Sequence, residues 1–134
     1  MSDTTYVAQL GELCIREGVD GPLLGLQTDE RHRNLSGIVH GGVLMTLFDR
    51  SAGLLSRAAL ADTRVATATM TINFSRPVSV GAFIEVASRL RRAGRTAVFV
   101  DCEAHVAGKL VGTASALMMR VPAAPEPSSE GDRP

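Results

Sequence analysis

The sequence is poor in the residues that build metal and redox centres. It has two cysteines, Cys14 and Cys102, with most of the chain between them. That spacing matches neither a zinc site nor a redox dithiol. Unpatterned thiols belong to a reducing compartment, so the expected location is cytoplasmic. The three histidines, His32, His40 and His105, are too scattered to form a ligand set. Net charge is also missing: Lys plus Arg and Asp plus Glu number 14 each. A neutral chain gives no electrostatic reason to expect nucleic-acid or membrane-surface partners. No apolar run approaches the ~18 residues of a membrane span. The uncharged stretch from Leu35 to Phe48 is interrupted by His40 and paired glycines. The N-terminus, MSDTTYVAQL, is polar and lacks the basic-then-apolar pattern of a secretory signal. There is no internal repeat.

What remains is an ordinary soluble composition, 45% hydrophobic and 21% charged, in 134 residues. That length suits one domain and is too short for two cores. Residues Thr4 to Arg16 place Val7, Leu10, Leu13 and Cys14 at helical spacing and predict a short amphipathic helix. Gly18, Gly21 and Pro22 break it. Leu23 to Thr28 reads as a strand and Asp29 to Gly37 as a polar loop. Gly41 to Arg57 has no proline and reads as the main helix. Val43, Leu44, Met45, Leu47, Phe48, Ala52, Leu54 and Leu55 fill a wide apolar arc, so this helix is expected to be mostly buried.

After Asp62 the period changes to two. Ala66, Ala68, Met70, Ile72 and Phe74 are expected on one face, and Val65, Thr67, Thr69, Thr71 and Asn73 on the other. Pro77 and Gly81 end this strand. Ala82 to Arg91, Arg95 to Val106 and Lys109 to Val121 follow as an antiparallel meander with tight connections. Strands of that length coil strongly and wrap a buried helix. The expected fold class is α+β, with a single domain over 1–121. Residues 122–134, rich in proline, serine and charge, are expected to be a disordered tail. The Thr-rich face of Val65 to Asn73 and the row Val98, Val100 and Cys102 are expected to need partners, which oligomerisation would provide.

The chemistry concentrates in Asn34-Leu-Ser-Gly-Ile-Val-His40-Gly41-Gly42-Val-Leu-Met-Thr-Leu-Phe-Asp49. Gly41 and Gly42 open the main helix, where amide N–H groups lack intrahelical acceptors and meet the positive dipole end. Without side chains they admit a ligand carbonyl, which outlines an oxyanion hole. The plainer reading is a tight loop-to-helix turn. Asp49 is a poor mid-helix residue among apolar neighbours. Either it is a base or nucleophile, or it is solvated or paired with Arg50 or Arg57. His40 is read as an N-cap or as a group near the reacting atoms, and Asn34 as a turn former or as an orienter of water.

The spacing of Asn34, His40-Gly41-Gly42 and Asp49, followed by the strand VATATMTINFSRP (Val65 to Pro77) and Gly81, resembles the PaaI-type hotdog acyl-CoA thioesterases. The resemblance covers roughly Leu23 to Val121. It implies a hotdog fold, a long central helix wrapped by a curved antiparallel sheet. It implies hydrolysis of acyl-CoA to free acid and CoA, with Asp49 as general base or nucleophile and the Gly41 N–H as oxyanion donor. It places His40 near the thioester carbonyl or sulfur. It makes Thr67 the residue that holds water beside the acid, although β-propensity explains a threonine there equally well. It assigns CoA contacts to Arg76 and to the turn bearing Arg92, Gly94 and Arg95, which otherwise read as solvated surface. No cofactor and no metal is required.

The resemblance also implies a homodimer in which each acid meets the other chain's glycine-opened helix, and a homotetramer as a dimer of dimers. The acyl pocket is expected beside the helix, lined by Leu44, Met45 and Phe48. Members often carry small residues around the acid, whereas Phe48-Asp49-Arg50-Ser51 stands here, which leaves the acyl class open. The alternatives are an acyl-thioester hydratase or dehydratase and a non-catalytic acyl-CoA-binding hotdog protein.

Overall fold

The structure, a computed structural model, describes residues 5–61 and 64–122. All but Pro122 of the expected tail lies outside the described residues. In chain order the elements are α1 (Tyr6–Gln9), β1 (Leu13–Glu17), β2 (Pro22–Gln27), a 3-10 turn (Glu30–His32), α2 (Gly41–Leu60), β3 (Arg64–Phe74), β4 (Phe83–Ala93), β5 (Ala97–Val106) and β6 (Lys109–Val121). The strands form one antiparallel sheet in the order β1-β2-β4-β5-β6-β3. Helix α2 packs on one face of it.

The first helix is shorter than its periodicity predicts. Gly11 has φ +122°, a conformation that ends a helix and that side chains rarely adopt. Beyond it, Leu13 and Cys14 enter a strand rather than a helix. Leu13 pairs with Leu26 and Glu17 with Pro22. The connecting turn is closed by the Gly18 N–H donating to the Gly21 carbonyl at 2.9 Å. Pairing with β2 overrides a weak local helical pattern.

Helix α2 forms where expected and runs on to Leu60. Val43, Leu44, Leu47, Phe48, Ala52 and Leu55 are buried, and each such apolar side chain contributes about 1.5–3 kcal/mol on leaving water. Met45 departs from the expected arc and is 48% exposed. Its angular position lies at the edge of the buried stripe, next to Asp49.

The row Val98, Val100 and Cys102 already has its partner. These residues are buried against α2, and their β6 neighbours Met118, Ala116 and Ala114 share that face. Phe99, Asp101 and Glu103 alternate onto the opposite face.

Strand β3 departs from strict alternation. Thr67 pairs with Met118 and Thr69 with Leu117, so Ala68 is an extra residue in the ladder. Met70 and Ile72 lie opposite Ala116 and Ala114 on the helix side. The bulge carries Thr67 and Val65 to that same side, where unbroken alternation would have put Ala68 and Ala66. The expected grouping of Val65 and Thr67 with Thr69 and Thr71 is therefore corrected.

Candidate active site

The start of α2 is built by a tightly bonded loop. Asp29 and the buried His32 form a capping box. The His32 carbonyl accepts from the His40 N–H at 2.8 Å, and Val39 N–H donates to the Val78 carbonyl at 2.8 Å. Asn34 Oδ1 accepts from the Ser36 N–H at 2.9 Å and the Ile38 N–H at 3.1 Å. Asn34 is therefore a turn former, and its Nδ2 is the end left for a ligand.

His40 caps the helix, its Nδ1 accepting from the Gly42 N–H at 2.9 Å. A neutral ring with an accepting Nδ1 carries its hydrogen on Nε2. The amides of Gly42 and Val43 both donate to His40, to its Nδ1 and its carbonyl. Among the described residues, the Gly41 N–H meets no acceptor. Neither Gly41 nor Gly42 is among the positive-φ glycines, so backbone strain does not explain them. A Cβ on Gly41 would sit at ordinary contact, 3.5 Å from the Phe74 ring. What the glycine provides there is open access to the amide.

Gly41 opens onto a cleft of about 260 Å³ lined in part by Asn34, Ile38, Leu44, Phe74 and Arg76. The cleft brings together three of the sequence-predicted residues, Asn34, Gly41 and Arg76.

Asp49 stands elsewhere. It lies eight residues beyond Gly41 on the same helix, which is ~12 Å along the axis at 1.5 Å per residue. It is exposed on α2 and accepts a hydrogen bond from the Thr67 hydroxyl. Among the described residues it forms no ion pair, with Arg50, Arg57 or any other cation. One carboxylate oxygen is thus held by Thr67 and the group is otherwise open to a ligand.

Arg92, Gly94 and Arg95 are not brought to either group. Arg92 shares a level with Phe99, Leu117 and Thr69 across the sheet. That is three strand spacings from β3, or ~14 Å. Arg76 follows the opposite end of β3.

Phe48 does not line this region. It is fully buried, and its ring packs 3.5 Å from where a Cβ on Gly112 would be. The bulky residue before the acid fills core space left by a glycine on β6. Residues the sequence did not single out also reach the site. Phe74 walls the cleft at Gly41, and Tyr6 reaches the exposed face of α2 through Thr46. No local signal marks a contact between residues 40 positions apart.

No helix among the described residues is long and apolar enough to cross a membrane. The described residues also contain no cluster of three or more His, Cys, Asp or Glu placed to hold a metal.

A family model described as the Thioesterase superfamily matches residues 36–113. That is more than half of the chain and includes His40, Gly41, Asp49 and Thr67. The chain belongs to the thioesterase superfamily. A provisionally named esterase of Pseudomonas aeruginosa is 31% identical to this thioesterase-superfamily chain over 112 residues, covering 79% of this chain and 81% of the relative. A Zymomonas mobilis protein named an uncharacterized acyl-CoA thioester hydrolase is 42% identical over 72 residues, or 52% of this chain. The chain spans 47% of that protein's length, and 43% of the length of a Caenorhabditis elegans relative that it also matches. Among solved structures, a phenylacetic acid degradation-related protein of Ralstonia eutropha, provisionally a thioesterase, superposes with a TM-score of 0.78 at 28% identity. The match covers 89% of this chain and 92% of that one. The long helix on a curved antiparallel sheet is thus the hotdog arrangement of this superfamily.

Proposed function

We propose that this chain hydrolyses acyl-CoA thioesters to the free acid and CoA, with Asp49 as the catalytic carboxylate. The observation that carries the reading is the Asp49 carboxylate, held by Thr67 on an exposed helix face, in a chain whose Gly41 N–H is free at the helix start. The first is placed to take a proton or attack a carbonyl carbon. The second is placed to receive the developing oxyanion.

The two groups are ~12 Å apart in one chain, too far to act on one carbonyl, so the site is completed by a second copy. Among the described residues β3 pairs only with β6, and its other edge presents unpaired backbone groups along eleven residues that contain no proline. A second copy paired along that edge brings its own Gly41 amide toward Asp49, and a two-fold axis makes both sites alike. The homotetramer, a dimer of dimers, is supported by the outer sheet face, where Phe83 and Phe99 are 41% and 39% exposed.

In the general-base route Asp49 takes a proton from water as its oxygen bonds to the thioester carbon. The tetrahedral oxyanion is held by the Gly41 N–H of the other copy. It collapses with cleavage of the C–S bond, and CoA leaves as thiolate or takes a proton. In the nucleophilic route the carboxylate itself bonds to the carbon, the C–S bond breaks as CoA leaves as thiolate, and water then cleaves the mixed anhydride to the free acid and the Asp49 carboxylate. The outward Nε2–H of His40 is a donor for the carbonyl or sulfur, and Asn34 Nδ2 one for water. Arg76, at the cleft, meets a CoA phosphate. Arg92, Gly94 and Arg95 reach CoA only from another chain.

Thiol release from a panel of acyl-CoAs tests the activity. Asp49→Ala and Asn are expected to abolish it while the oligomer persists. Turnover unaffected by either change would remove Asp49 from the mechanism, and binding without turnover would favour the non-catalytic reading. Subunit mixing tests the shared site: inactive Asp49→Asn and Gly41→Val proteins, unfolded and refolded together, should recover roughly a quarter of wild-type activity, one intact site in half of the dimers. No recovery despite exchange would place both groups in one chain.

A further inference from the structure

The exposed face of α2 has a border on each side. On one stands β3, whose Thr67 meets Asp49. On the other stands α1, whose Tyr6 hydroxyl lies 3.1 Å from the Thr46 hydroxyl. Thr46 Oγ1 donates its own hydrogen to the Gly42 carbonyl at 2.9 Å, so the Tyr6 hydroxyl is the donor of the pair. The phenol is tied at its tip while the residue remains 66% exposed. Thr46 is three residues from Asp49, so their Cβ atoms are about 5–6 Å apart.

The floor between these borders is low. A Cβ built on Gly53 would meet nothing within 4 Å, and one on Gly42 only the His40 ring. Met45, half exposed, adds a polarizable apolar surface beside Asp49.

The segment carrying Tyr6 is anchored to the same loop that positions α2. Leu10 packs against the core, and its carbonyl accepts from His32 Nε2 at 2.5 Å. His32 Nδ1 accepts from the Asp29 N–H at 2.9 Å, which fixes the ring hydrogen on Nε2. Tyr6 is therefore held at two points, its own hydroxyl and the base of its short helix.

We propose that Tyr6 is an acyl-selecting residue, its tethered ring walling the open face of α2 one turn from Asp49 and stacking on flat acyl groups. The inference rests on thioester hydrolysis at Asp49. A tethered two-torsion side chain loses little freedom on meeting a ligand, and offset ring stacking favours an aryl over an alkyl group by about three- to tenfold.

The chain has one tyrosine and no tryptophan, so its intrinsic fluorescence reports Tyr6 alone. In the Asp49→Asn protein, which holds substrate without cleaving it, benzoyl-CoA is expected to quench that signal well beyond free CoA. In the wild-type background, Tyr6→Ala and Tyr6→Leu are expected to lower kcat/KM for benzoyl-CoA relative to hexanoyl-CoA by about three- to tenfold, with Tyr6→Phe keeping most of the preference. Thermal melts identify any variant that fails to fold, and the Leu variant preserves apolar bulk without the flat face. An unchanged ratio in both variants, with both substrates still turned over, overturns the proposal. So does fluorescence that responds to benzoyl-CoA no more than to CoA. If the wild type cleaves neither substrate, the hydrolysis reading fails by itself; benzoyl-CoA quenching would still support the Tyr6 contact, and its absence would overturn that too.

Discussion

The Thr67 hydroxyl donates to the Asp49 carboxylate, and it faces Asp49 because Ala68 is an extra residue in β3. Without the bulge, alternation from Ile72 and Met70 would turn Thr67 to the far side of the sheet. The bulge also turns Val65 to the helix side, where it packs against the core. One inserted residue therefore serves both packing and the site.

Two changes separate these roles. Thr67→Val keeps a β-branched side chain and is expected to lower kcat by about ten- to a hundredfold, the loss of one hydrogen bond to a charged group. Its urea midpoint should stay near wild type. Deleting Ala68 is expected to reproduce that kinetic loss and to cost about 1 kcal/mol more stability, because Val65 leaves the core side. A deletion variant with wild-type kcat would show that the bulge does not aim Thr67.

Gly41→Ala distinguishes a turn glycine from an access glycine. The backbone there needs no positive φ, and the added methyl meets the Phe74 ring at an ordinary 3.5 Å. Stability should hold within about 0.5 kcal/mol. If the Gly41 amide receives the thioester oxygen, the methyl displaces it and kcat/KM falls by about a hundredfold. A stable and fully active alanine variant would end the oxyanion assignment.

Phe48→Ala should act on the core alone. Removing a fully buried ring costs about 3–5 kcal/mol. The ranking of acyl-CoA substrates, measured at a temperature where the variant is folded, should match wild type. A changed ranking would put Phe48 back in the acyl pocket.

The two thiols should differ sharply. Burial, with a smaller contribution from Asp101, pushes Cys102 up from 9.0 to about 12, whereas Cys14 is exposed. A thiol reagent at mildly alkaline pH should modify Cys14 in the native protein and reach Cys102 only after unfolding. The raised value also gives a direction for stability. The folded state keeps a proton that the unfolded chain releases above pH 9, so this contribution is complete below pH 9 and declines as pH rises from there toward 12. Wild type should lose stability across that window faster than Cys102→Ala in parallel urea titrations; identical slopes would show that burial leaves the thiol unshifted.

The long helix and the meander are legible in the sequence alone, and so are the candidate site residues. Its signals there are local and strong: no proline and a wide apolar arc from Gly41 to Arg57, period two after Asp62, and the spacing of Asn34, His40, Gly41 and Asp49. For His40 it favoured the plainer role of a cap and for Asn34 it left a turn former and an orienter of water about equal; the loop and the cap display the plainer contacts. Where short or ambiguous segments went depended on long-range packing. Leu13 and Cys14 fit a helix by spacing, but Gly11 separates them from α1 and β2 offered them a strand partner across the Gly18–Gly21 turn. Phe48 turned inward because Gly112, sixty-four positions away, left room for its ring. Thr67 met Asp49 because a bulge reversed its face, and period-two reading has no term for an inserted residue. The ~12 Å between Asp49 and the Gly41 amide is set by the helix itself, so a site using both groups on one carbonyl would need a second copy, as the resemblance implies.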